Sequence, residues 1–96
     1  PVTVERIINE VARTLGVTAA DVRSQKHSAS VSQARQASIY IVREITQMPL
    51  SSIGEQFGGR DHATMVYAIK KVVSRMEKDD NFRSTIEDII HNIRDS

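Results

Sequence analysis

Gly58 and Gly59, followed directly by Arg60-Asp61-His62, break an otherwise helical pattern in the second half of the chain. Upstream, the run from Pro49 to Phe57 puts Leu50, Ile53 and Phe57 on one face of a short helix. Downstream, Met65, Ile69, Val72 and Met76 recur at spacings of 4, 3 and 4 residues, which is the apolar stripe of a second helix. The two glycines stop the first helix and tolerate the positive φ of a tight turn. Asp61 is placed to cap the second. Helix, glycine turn and helix in this order predict a helix-turn-helix over about residues 50–77. The first turn of its second helix carries Asp61, His62 and Thr64, all able to hydrogen-bond outward, at the end from which a recognition helix contacts base edges.

The rest of the chain is also helical in pattern. Thr3 is a candidate N-cap before the stripe Val4, Ile7, Ile8, Val11 and Leu15, with Gly16 as the stop and Val17 folding back onto the helix end. Thr18 to Asp21 reads as the start of a short helix ending near Arg23. Residues Ser24 to Ser30 are polar and without periodicity, so they form a loop. Ser30 with Gln33 makes a capping box for a long helix running to about Thr46 and stopped by Pro49. Ala34, Ala37, Ile41 and Ile45 form its stripe, widened by Ile39, Tyr40 and Val42. Lys78 to Asn81 breaks the apolar pattern, and Phe82, Ile86, Ile89, Ile90 and Ile93 define a last amphipathic helix. No period-two alternation occurs. The expected fold is all-α, about six helices in one domain spanning residues 1–96.

Composition narrows the function classes. Ninety-six residues suffice for one modest core, and with no cysteine there is neither a disulfide framework nor thiolate chemistry. The apolar runs are too short to span a bilayer and nothing resembles a signal peptide, so a soluble cytoplasmic chain is expected. The net charge of +1 is small for a nucleic-acid binder, but its distribution is uneven. Residues 22–71 hold seven cationic side chains against three carboxylates, whereas the segments on either side are net acidic. The positive charge gathers where the glycine turn lies.

Catalysis finds no support. Asp61 and His62 are neighbours on a helix and point about 100° apart, so neither orients the other. His27, His62 and His91 lack metal-ligand spacing, and no GxxxxGK[ST] phosphate loop is present. No metal and no cofactor are expected in this chain.

The run IGEQFGGRDHATMVYAI, with ARQASIYIVREIT upstream, resembles the C-terminal DNA-binding domain of the bacterial replication initiator DnaA, whose signature is a Gly-Arg-Asp-His-(Thr or Ser)-Thr core. The likeness extends from about Val4 to Arg94. It implies a helix-turn-helix of the Trp-repressor type with a basic loop before the long central helix. It also implies sequence-specific binding to the asymmetric DnaA box (consensus close to TTATNCACA) at replication origins. The implied setting is a monomeric reader associated with the nucleoid, with replication regulators as possible protein partners. ATP is implied only for an ATPase module attached elsewhere in such an initiator.

By the same resemblance, Asp61, His62, Ala63 and Thr64 read base edges in the major groove, while Lys26 and His27 approach the adjacent minor groove. Arg35, Gln36, Arg43, Leu50, Ser51, Gly59 and Arg60 are implied phosphate contacts, with Lys70 and Lys71 peripheral to them. Plainer roles remain open from the residues alone: Asp61 as a cap only, His62 as an exposed side chain, Arg60 paired with Glu55, and Lys70 as a solvated charge. Two positions depart from the family pattern. Ala63 stands where Thr or Ser is usual, and His27 stands where an arginine enters the minor groove; Ala29 and Gln33 are less basic than expected. These departures suit either a DnaA-like paralogue with an altered DNA target or a degenerate helix-turn-helix that binds protein.

Overall fold

The computed structural model describes residues 1–95; Ser96, the last residue of the expected domain, lies outside the described residues. Six helices follow one another: α1 (Val4–Leu15), α2 (Ala19–Arg23), α3 (Ala29–Thr46), α4 (Leu50–Gln56), α5 (His62–Lys78) and α6 (Asp80–Arg94). No strand occurs among the described residues, and no helix there is long and apolar enough to cross a membrane.

Local chemistry accounts for most helix ends. The Thr3 hydroxyl accepts from the Arg6 amide at 3.1 Å and the Thr18 hydroxyl from the Asp21 amide at 3.0 Å. Gly16 takes a left-handed φ of 75° at the end of α1, and the Val17 amide donates back to the Ala12 carbonyl. Asp79 closes α5 and opens α6, its carboxylate accepting from the Phe82 amide at 3.0 Å.

The start of α3 corrects the sequence reading. The helix begins at Ala29, behind Ser28, which makes no side-chain cap bond, so the Ser30–Gln33 capping box is not the start. The reason is non-local. Arg35 donates to carbonyls of the preceding segment and holds the loop against the helix, so the chain enters α3 earlier without a cap.

α3 packs against all five other helices. It therefore buries Val31, Ala34, Ala37, Ser38, Ile39, Ile41 and Val42, far more of its circumference than one stripe. Ser38 is tolerated inside because its hydroxyl donates to the Ala34 carbonyl at 2.8 Å. Around α3 gather Ile7, Ile8 and Val11 of α1, Ile53 of α4, Met65 and Val72 of α5, and Ile86, Ile89 and Ile93 of α6, all buried. Each apolar stripe expected on α1, α5 and α6 faces this core, with Leu15, Ile69, Met76 and Ile90 partly buried at its rim.

Candidate nucleic-acid interface

The helix-turn-helix is built from α4, a turn at residues 57–61 and α5. Ile53 and Phe57 are wholly buried and anchor α4, with Leu50 half-buried at its start. The Gly54 carbonyl receives three amide donors, from Phe57, Gly59 and Arg60, each at 3.1 Å. The chain thus doubles back tightly over the end of α4, with Gly58 and Gly59 at φ values of 81° and 74°. Gly54 itself was not singled out from the sequence. A Cβ at that position would lie 2.1 Å from the Arg60 carbonyl oxygen, so the turn requires glycine there.

Asp61 caps α5 as expected. Its Oδ1 accepts from the Thr64 amide at 2.9 Å and from the Thr64 hydroxyl at 2.7 Å. The hydroxyl proton of Thr64 is thereby committed, which leaves its oxygen as an acceptor toward any ligand. Asp61, His62, Ala63 and Thr64 are all exposed, side by side on the first turn of α5.

These bonds hold the Asp61 carboxyl below the ordinary carboxylate range, chiefly through the Thr64 hydroxyl and next the Thr64 amide. A carboxylate depressed in the folded state contributes stability that is complete above its unfolded pKa of about 4. That contribution is lost as pH falls through the lower folded value. Asp61→Asn keeps a cap acceptor but cannot titrate. Urea midpoints measured from about pH 7 down to about pH 2 should show a shallower acid limb in the variant. Superimposable acid limbs would show that the Asp61 charge adds nothing to folding.

The loop between α2 and α3 lies beside the turn. Gln25, Lys26, His27 and Ser28 are exposed. The Lys26 ammonium sits 2.8 Å from Asp21, and this bond is the main cause of a lowered Asp21 pKa. Part of the loop's small positive charge is therefore neutralised by its own protein.

Arg35, one of the expected phosphate contacts, lies on the inner side of the site. Only 5% exposed, it donates from Nε to the Val22 carbonyl at 2.8 Å and from Nη1 to Lys26 at 3.0 Å. Nη2 donates to the backbone carbonyls of Asp21 at 3.1 Å and Ser24 at 2.7 Å. Four of the five N–H donors of this buried guanidinium are thereby committed to backbone carbonyls. It holds α2 and the loop in place. Burial, and secondarily the charge of Arg60, lower its pKa.

Arg60 likewise turns inward and does not pair with Glu55. Its Nη1 donates to the Phe57 carbonyl, and its Nη2 reaches Ser24 at 3.1 Å and the Gln25 side chain at 3.4 Å. Arg23, absent from the expected residues, donates to the Gln56 carbonyl at 2.9 Å.

The other expected phosphate contacts fall in two groups. Arg43 is half-buried and donates to the Met48 carbonyl across the α3–α4 corner, next to Leu50 and the exposed Ser51. Gln36, Lys70 and Lys71 line a groove of about 570 Å³ between α3 and α5, beside Tyr67 and Arg75. Gly59 is exposed, with open space where a Cβ would stand.

The family model for the bacterial DnaA protein helix-turn-helix matches residues 4–72, from the first turn of α1 into α5. The chain belongs to this DnaA helix-turn-helix family. Relatives match beyond that segment. The chromosomal replication initiator protein DnaA of Thermodesulfovibrio yellowstonii is 38% identical over 93 residues, covering 97% of this chain and 21% of the relative. That of Citrifermentans bemidjiense is 39% identical over 88 residues, covering 92% and 19%. DnaA of Streptococcus agalactiae serotype Ia is 38% identical over 93 residues, covering 97% and 20%. The chain therefore spans about one fifth of the length of these DnaA relatives. A solved structure described as a crystal structure of DNA replication initiation factor superposes with a TM-score of 0.80 at 24% identity, over 94% of this chain and 29% of that one. At that identity the likeness establishes the fold alone.

Proposed function

We propose that the chain is the DNA-reading domain of a replication initiator, binding one asymmetric DnaA-box-like site on double-stranded DNA as a monomer within the nucleoid. The observation that carries this reading is the exposed row Asp61-His62-Ala63-Thr64 at the N-terminus of α5, flanked by the exposed loop Gln25–Ser28. In the major groove, His62 reaches base edges and Asp61 accepts from a cytosine amino group. The Ala63 methyl packs on a thymine methyl, and the Thr64 oxygen accepts. Lys26 and His27 approach the minor groove, where the imidazole hydrogen-bonds to an A·T edge. Arg43, Lys70 and Lys71, with Gln36, Leu50, Ser51 and the Gly59 amide, set the register on phosphate.

Fluorescence anisotropy on a TTATNCACA duplex and a scrambled duplex, each across a salt series, tests the proposal. Selective binding to the box is expected, with a shallow logarithmic salt slope of about −3 from three cationic phosphate contacts. His62→Ala should weaken box binding by about tenfold to a hundredfold and leave the scrambled duplex nearly unchanged. Equal affinity for both duplexes would refute the reading. Ala63 and His27, both exposed at reading positions, favour a paralogue-like variant of it. Selection from randomised duplexes would then return a site distinct from the box, and His62→Ala would abolish that selectivity too.

A further inference from the structure

We propose that Arg60 is a positioning residue that latches the loop Gln25–Ser28 to the helix-turn-helix turn, so that the two DNA-reading elements form one preorganised surface. The inference rests on the recognition reading above and deepens it.

The latch spans a long stretch of chain. Through a single guanidinium, Arg60 bonds the turn at Phe57 and the loop at Ser24 and Gln25, partners 35 and 36 residues away in sequence on the loop side. Arg23 adds a second tie just before the loop, from α2 to the last residue of α4. Arg35 supports the same loop from α3, and its Nη2 shares the Ser24 carbonyl with Arg60. The Ser24 carbonyl thus accepts from two guanidinium groups, one from each side of the loop.

Gly58 provides the room. A Cβ there would lie 2.8 Å from the Gln25 amide nitrogen and 3.3 Å from Arg60 Nη1, so the loop side chain and the latch both pass over a bare glycine. The consequence is entropic. A loop already ordered in the free protein is not ordered at the expense of binding, and its spacing from His62 is set before DNA arrives.

The test combines backbone ¹⁵N relaxation of the free protein with DNA binding, for the parent, Arg60→Gln and Gln25→Ala. Gln25 is an exposed loop residue whose truncation leaves the core intact, so it serves even if Arg60→Gln does not fold. In the parent, order parameters for residues 25–28 should match rigid backbone at about 0.85, falling below about 0.6 in Arg60→Gln and to intermediate values in Gln25→Ala. In both variants α5 should stay rigid. Box affinity should fall about tenfold in Arg60→Gln with the salt slope unchanged, and discrimination should be lost at the positions read by the loop while those read by His62 keep theirs.

A rigid loop in both variants overturns the latch. So does a loosened loop with unchanged affinity. A rigid loop with a salt slope reduced by about 1 would make Arg60 a phosphate contact instead. A parent that fails to discriminate the box from the scrambled duplex removes the recognition reading itself. That outcome is distinguishable from latch failure, because it appears in the parent and not in the variants.

Discussion

Gly54→Ala is expected to destabilise the protein by about 3 kcal/mol, although alanine is the better helix former. The gain in helix propensity is about 1 kcal/mol in an ordinary helical position. Against it stands the new methyl, 2.1 Å from the backbone oxygen of Arg60, an atom with no rotamer through which to escape. Relief requires the turn to lift off α4. That movement stretches the bonds from the Phe57, Gly59 and Arg60 amides to the Gly54 carbonyl and carries the Arg60 guanidinium away from Ser24. A loss of this size corresponds to a fall in Tm of roughly 12–24 °C for a domain of this length. Gly59→Ala is the informative comparison. Its methyl would meet open space, so only the positive φ of 74° opposes it, and the cost should be about 1 kcal/mol. A thermal melt of Gly54→Ala at or above the parent's Tm would refute the close approach of turn and helix.

Features fixed by neighbours in sequence were legible from the residues. Thr3, Thr18 and Asp61 cap the helices they precede because an N-cap needs only a side-chain oxygen and an amide two or three residues on. The stripes of α1, α5 and α6 were legible because each presents one face to α3. α3 was less so, since a helix contacted by five others has little exposed face against which to define a stripe.

The interface divides the same way. Exposure of Asp61 to Thr64 follows from their place on the first turn of α5. The roles of Arg23, Gln25 and Arg60 depend on a loop meeting a turn more than thirty residues away, and nothing local announces that meeting. Gly54 did leave a signal. A glycine inside a helical run ordinarily costs stability, and its presence marks a close backbone approach. Arg35 left one too. Val31, Ser38, Ile39 and Val42 stand four before it and three, four and seven after it, so helical periodicity alone puts its side chain on the buried face. The family resemblance pointed to phosphate, while the position in the helix pointed inward.

Arg35→Leu separates those two roles. Leucine is apolar and fits a buried helix face, so the charge and its desolvation cost disappear together. What remains is a set of carbonyls, at Asp21, Val22, Ser24 and Lys26, without their shared donor. Water can reach the loop carbonyls in part, but the Val22 bond is buried. The net loss should therefore be about 3 kcal/mol and not the sum of four full penalties. Arg35→Lys should recover little of it, because one ammonium cannot span four oxygens that a planar fork reaches from three nitrogens. The expected result is a melting temperature lower by roughly 12–24 °C in Arg35→Leu, with resonances of the loop exchange-broadened and the salt slope of any DNA binding unchanged. A phosphate contact would give the opposite pattern: an unaltered melt and a salt slope smaller by about 1. Because the two roles move different observables, one variant measured by melting and by salt titration decides between them.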